Sequence, residues 1–211
     1  MTPRSRVFLT AGLAALIATA AAAWWTAEWM QKGPVATRGG LYCPAKKILP
    51  VPHFRQGDPK WGADLLGPTE STLAAEGCAV ASAAMALATR GMDTDPARLN
   101  AFLTQLPGGY TPRGWIYWEK AAEFDANLTP ELLPHYEDDA SHFLIDWNLL
   151  RGNPVIARVR FPSGTTHFVV IIGKKGFDYL INDPALPAEA NPTLLTNFAT
   201  PVEALRFYKP D

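Results

Sequence analysis

Glu76-Gly77-Cys78-Ala79-Val80-Ala81-Ser82-Ala83-Ala84-Met85-Ala86 opens a run of small and apolar residues that continues to Thr89, and Gly91 stands just beyond it. No strongly polar residue interrupts the run and a glycine ends it, so it reads as a buried helix over residues 79–89 with Cys78 at its N-terminus. The first amides of a helix lack intrahelical partners and carry a partial positive charge. A thiol placed there is biased towards thiolate, and the same amides can hold an oxyanion. A small cysteine buried among alanines would look the same, so the run alone fixes the helix and not its chemistry.

Outward from that helix the chain changes its period once. Thr94-Asp95-Pro96 caps a second helix running to about Leu106; 115–124 and 139–150 read as two more, the last ending at Gly152. From Pro154 the pattern alternates, with Val155, Ala157, Val159 and Phe161 set against Ile156, Arg158 and Arg160. Residues 162–165 form a turn, 167–173 an apolar strand, Lys174-Lys175-Gly176 a second turn, 177–182 a third strand and 204–208 a closing one. Helices first and antiparallel strands after define an α+β fold. Residues 53–72, rich in turn formers, read as loop.

His167 opens a strand directly after a turn, where an imidazole stands at the sheet's edge and can act as a base. Asp183, in Asn182-Asp183-Pro184, ends the next strand, where a carboxylate can orient that ring. Gln56 lies in the loop Gln56-Gly57-Asp58-Pro59-Lys60-Trp61 and can offer an amide to an oxyanion. Each residue alone has an ordinary structural explanation. The order glutamine, cysteine at a helix start, histidine at a strand start, aspartate on the following strand is far more specific.

The 19 lysines and arginines nearly balance 20 aspartates and glutamates, which leaves no global field for nucleic acid. The only cysteines, Cys43 and Cys78, are too few for a disulfide framework and lack zinc-site spacing; a bond between the two is one option. His53, His135 and His142 have no ligand spacing either, so neither a metal nor a cofactor is expected. Tyr110, Trp115, Tyr117 and Trp118 suit either a cleft or the core, and Glu137-Asp138-Asp139 reads as a solvated helix start.

Arg4 and Arg6 precede an uncharged run from Val7 to Trp25, with small residues at Ala20 to Ala23 and tryptophans at 24, 25 and 29. That is a signal peptide or an uncleaved signal-anchor helix, and either puts the domain outside the cytoplasm. The division expected is residues 1–30 as that segment, 31–50 as a linker and 51–211 as one domain.

Phe54-Arg55-Gln56-Gly57-Asp58-Pro59-Lys60-Trp61, Leu66-Gly67, the run around Cys78, Gly108-Gly109-Tyr110, Thr166-His167-Phe168-Val169-Val170 and Asn182-Asp183-Pro184 together resemble the C39-like cysteine peptidase domain, over about residues 51–211. The resemblance implies a papain-like fold with Cys78 as nucleophile, His167 as base, Asp183 as its orienter and Gln56 in the oxyanion hole. Many members have glycine after the nucleophile, where this chain has Ala79. Nothing in the chain resembles a transporter, so the leader-peptide substrate of the transporter-fused relatives does not carry over. The expected function is an extracytoplasmic cysteine peptidase or amidase acting on peptide-containing cell-envelope material. The alternatives are an inactive peptide-binding module of the same fold and a thioester-forming acyl or amine transferase.

Overall fold

The computed structural model describes residues 3–124, 135–198 and 200–208, with side chains from residue 14 onward. The elements, in chain order, are α1 (Pro3–Met30), β1 (Arg38–Ile48), α2 (Leu73–Glu76), α3 (Cys78–Ala88), α4 (Pro96–Gln105), α5 (Trp118–Ala121), β2 (His135–Asp139), α6 (His142–Leu150), β3 (Val155–Arg160), β4 (Thr166–Asn182), β5 (Thr193–Leu194) and β6 (Ala204–Tyr208). The strands join one antiparallel sheet in the order β1-β4-β3-β6-β2, with β5 also on β4. The architecture is mixed helix and antiparallel sheet.

Alternation along the strands builds two cores. Val155, Ala157 and Val159 of β3 and Val169 and Ile171 of β4 face Ile145 of α6, Leu195 and Phe198. Their neighbours Ile156, Val170 and Ile172 face Val80, Ala84 and Leu87 of α3 with Leu99 and Leu103 of α4. The sheet is therefore covered on both sides, and its strands read as nearly continuous apolar runs. α3 lies flat because alanine side chains let its backbone approach the sheet, and Ser82 Oγ donates to the Phe168 carbonyl at 3.2 Å.

β4 is 17 residues long. Straight, it would separate residues 167 and 183 by roughly 50 Å, yet His167 Nε2 lies 2.7 Å from Asp183 Oδ1. The extended run therefore doubles back on itself, about Lys175 midway between the two. Gly176, at φ +60°, supplies the left-handed residue that the reversal needs.

Several expectations are corrected. The segment 31–50 is not a free linker, because β1 pairs with β4 through Arg38↔Asp178, Cys43↔Gly176 and Lys47↔Lys174. Its register shifts and mostly exposed side chains hide the strand from any two-residue period. The acidic triplet 137–139 does not start a helix. It lies in β2, where Glu137 pairs with Arg206 of β6 and its carboxylate accepts from that guanidinium at 3.0 Å. The following helix starts at His142 instead, capped by Ser141 Oγ on the Leu144 amide. The helix read over 115–124 shrinks to α5, and β6 lies between β3 and β2 with β2 at the sheet's edge.

The chain is helical from Pro3 to Met30. Among the described residues no helix is long and apolar enough to cross a membrane. Arg4, Arg6 and the first part of the uncharged run lie outside the residues whose side chains are described. The far end of α1 is tied to the domain: Trp29 Nε1 donates to Asp146 Oδ2 at 3.0 Å, and the Trp29 ring meets Phe143 of α6 edge-on at 5.0 Å.

Asp146 is the hub of a buried polar cluster. Its Oδ1 accepts from Lys174 Nζ at 2.6 Å and Tyr179 Oη at 3.2 Å, and its Oδ2 also takes the Leu41 amide at 2.6 Å. Lys174 Nζ donates in addition to the Gly39 carbonyl at 2.7 Å. Burial pushes the Lys174 ammonium down, and the Asp146 carboxylate resists that shift. A Cβ on Gly40 would come within 2.2 Å of Asp146 Oδ2, so no larger residue fits there.

Candidate active site

Gly77 is the pivot of the cysteine's placement. α2 and α3 meet at it, its amide donates to the Leu73 carbonyl at 2.8 Å, and its carbonyl accepts from Ala81. A Cβ on Gly77 would sit 2.4 Å from the Leu73 carbonyl oxygen and 2.9 Å from its Cα, both backbone atoms that cannot swing aside. We expect Gly77→Ala to displace the first turn of α3, costing about 2 kcal/mol of stability and lowering Cys78 reactivity at least tenfold; urea unfolding and thiol alkylation rates measure the two effects. Cys78 is partly exposed and free, as is Cys43, so the two form no disulfide.

Opposite the mouth of α3 stands His167, at the start of β4. Its side chain is only 3% exposed, and its Nε2 is hydrogen-bonded to Asp183 Oδ1 at 2.7 Å. Phe161 and Phe198 flank the ring at centroid distances of 4.5 and 5.9 Å. The next residue, Phe168, is pinned by Ser82 and packs on the Trp118 ring at 5.2 Å. The imidazole is thus held by apolar walls on its faces and a carboxylate at one nitrogen. With Nε2 taken, Nδ1 is the nitrogen left for Cys78.

The electrostatics agree with that arrangement. Burial alone would lower the His167 pKa. The hydrogen bond that the imidazole gives to Asp183, a hydrogen bond with Cys78 and the charges of both outweigh burial and raise it from 6.5 to about 9. Folding therefore favours the imidazolium over its state in the unfolded chain. That stabilisation is fully present below about pH 6.5 and is lost as pH climbs through 9. We expect the urea midpoint to fall over that window by the equivalent of about 3 kcal/mol, and Asp183→Asn to flatten the fall.

Asp183 Oδ1 also accepts from the Ala185 amide at 2.9 Å. Gln56 is anchored at both ends: its backbone amide donates to the Pro184 carbonyl at 2.8 Å and its Nε2 to the Ala74 carbonyl at 2.9 Å, four residues before Cys78. Its Oε1 is buried with no hydrogen-bond partner among the described residues. An amide so oriented keeps a second Nε2 hydrogen beyond the one on Ala74.

Other candidates fall elsewhere. Trp118 is core, Tyr110 gives its hydroxyl to Asn100 at 2.7 Å, and Trp115 and Tyr117 are exposed. His142 bonds Tyr179 in the Asp146 cluster. Glu119, His135 and Glu137 bring one ligand atom each within 4.8 Å of one another, but Glu137 is already held by Arg206. Sequence reasoning passed over Phe161 and Phe198, ordinary apolar residues whose partner is visible only in three dimensions. It also set His53 aside and did not consider Asn191, both of which contact the Asp183 backbone.

These features, a cysteine heading an alanine-rich helix against a histidine–aspartate pair on a sheet, define the class to which comparison assigns the chain. Residues 48–200 match the Peptidase_C39 like family, and the chain belongs to it. A crystal structure described as a C39-like peptidase from Bacillus anthracis is 18% identical with a TM-score of 0.46, covering 80% of this chain and 100% of that one. No curated protein matches.

Proposed function

We propose that the protein is a cysteine hydrolase of papain-like design, a peptidase or amidase, with Cys78 as nucleophile, His167 as base and acid, Asp183 as its orienter and Gln56 in the oxyanion hole. The observation that carries this reading is the imidazole hydrogen-bonded to Asp183 through Nε2 while interacting with Cys78 on its other side.

His167 Nδ1 takes the Cys78 thiol proton. The thiolate attacks the acyl carbon, and the oxyanion is held by the second Nε2 hydrogen of Gln56 and the first amides of α3. As the C–N bond breaks, the imidazolium gives its proton to the leaving amine and a thioester is left on Cys78. Water then adds with its proton going to the imidazole, and the carboxylic acid leaves as the thiolate is restored. Nε2 remains on Asp183 throughout, which fixes the ring orientation at each transfer.

The uncharged run after Arg4 and Arg6 supports an export signal or anchor, and thus a substrate of peptide-containing cell-envelope material. The test of the site is iodoacetamide alkylation over a pH series with the adducts mapped. Cys78 should be labelled far faster than Cys43 across the series. Equal, slow labelling of the two would leave an inactive binding module.

A further inference from the structure

We propose that Asn191 and His53 are positioning residues that hold the Asp183 peptide in place, keep its carboxylate on His167, and couple that carboxylate to the loop bearing Gln56. The inference rests on the cysteine-hydrolase reading and assigns roles to two side chains outside its four residues.

Asp183 ends an extended run and is followed by proline, so no strand ladder fixes its peptide. Side chains do so instead. The Asp183 amide donates to Asn191 Oδ1 at 2.8 Å. Its carbonyl lies 3.1 Å from His53 Nε2 and accepts from Asn191 Nδ2 at 3.4 Å. Asn191 is itself held, Nδ2 donating to the Pro187 carbonyl at 2.9 Å and lying 3.1 Å from His53 Nε2. With its proton on Nε2, His53 donates to the Asp183 carbonyl; with the proton on Nδ1, it accepts from Asn191. Either tautomer keeps the three groups joined.

His53 also sits three residues before Gln56, and the same stretch is laced to the Asp183 loop along its length. Asn182 Nδ2 reaches the Val51 and Pro52 carbonyls at 3.4 Å each, and the Gln56 amide takes the Pro184 carbonyl. A shift of Asp183 by a few tenths of an ångström would lengthen a 2.7 Å bond to His167 and disturb the seat of Gln56 together. Purely structural clamping would not predict this, since the carboxylate acts on the site through the imidazolium it stabilises.

The test uses the full chain and the pH profile of Cys78 alkylation by iodoacetamide in wild type, Asn191→Ala, His53→Ala and His53→Gln, with circular dichroism reporting folding. Loosening Asp183 withdraws support from the imidazolium, so the proton stays on sulfur to higher pH. In both alanine variants the low-pH limb should move up by about one unit. His53→Gln, which offers an amide donor near the lost Nε2, should restore most of that shift, and Cys43 labelling should not move. Alanine variants that fold and keep the wild-type midpoint overturn the inference while leaving the hydrolase reading intact. A wild-type chain with no low-pH limb overturns the hydrolase reading, and this inference with it. If Asn191→Ala does not fold, the His53→Ala and His53→Gln pair decides: a shift in the first that the second fails to restore also counts against the proposal.

Discussion

If the proposed site acts as a hydrolase, Cys78→Ala should abolish its peptide hydrolysis, lowering turnover by about ten thousand-fold or more, while the chain stays folded. The methyl of alanine occupies less space than the thiol it replaces at a partly exposed position, so the helix loses no buried packing of consequence. What it loses is the only atom able to form the thioester. His167→Ala should be nearly as damaging, and the double variant little worse than either single one. The thiol and imidazole act as a unit, and removing one leaves the other without work. Product mass spectrometry on peptide mixtures with wild type and each variant reads both results. Residual turnover near wild type in Cys78→Ala would end the hydrolase reading.

Asp146→Ala should be the most destabilising single change away from the site, by about 3 to 5 kcal/mol. The carboxylate satisfies four donors, Lys174 Nζ, Tyr179 Oη, Trp29 Nε1 and the Leu41 amide. Removing it strands an ammonium that is 6% exposed without a counter-charge, left to the Gly39 carbonyl and the face of the Tyr179 ring. The double change Asp146→Leu with Lys174→Met should recover much of the loss, because an apolar pair has no uncompensated charge. Urea unfolding of the two variants measures both. Equal stability of the single variant and wild type would mean that the cluster contributes nothing to the fold.

The elements legible in the chain were those whose side chains obey a period. α3 was visible because its alanines bury it all round, α4 because Asp95 caps its third amide, and β6 because it is a short and mostly apolar stretch. β1 was not, since it lies at the sheet's edge with one face in solvent and breaks register twice. β2 was not, since its glutamate and aspartates sit opposite β6 for reasons of pairing and not of burial. At the site, the candidates that the sequence suggested by type and order are Gln56, Cys78, His167 and Asp183, of which the last two meet across a reversal of one extended run. The residues it could not suggest, Phe161, Phe198, His53 and Asn191, earn their places only by contact. Histidine and asparagine in a proline-rich loop are common enough to carry no signal until their partners are known.

The bond from Trp29 to Asp146, with the Trp29–Phe143 ring contact, fastens the C-terminal end of the N-terminal helix to the domain. Cutting anywhere among Ala20 to Ala23 would leave Trp29, and with it the lock, on the domain. Retained whole, the helix keeps its last turn fixed against α6 through the Trp29 ring and its indole nitrogen.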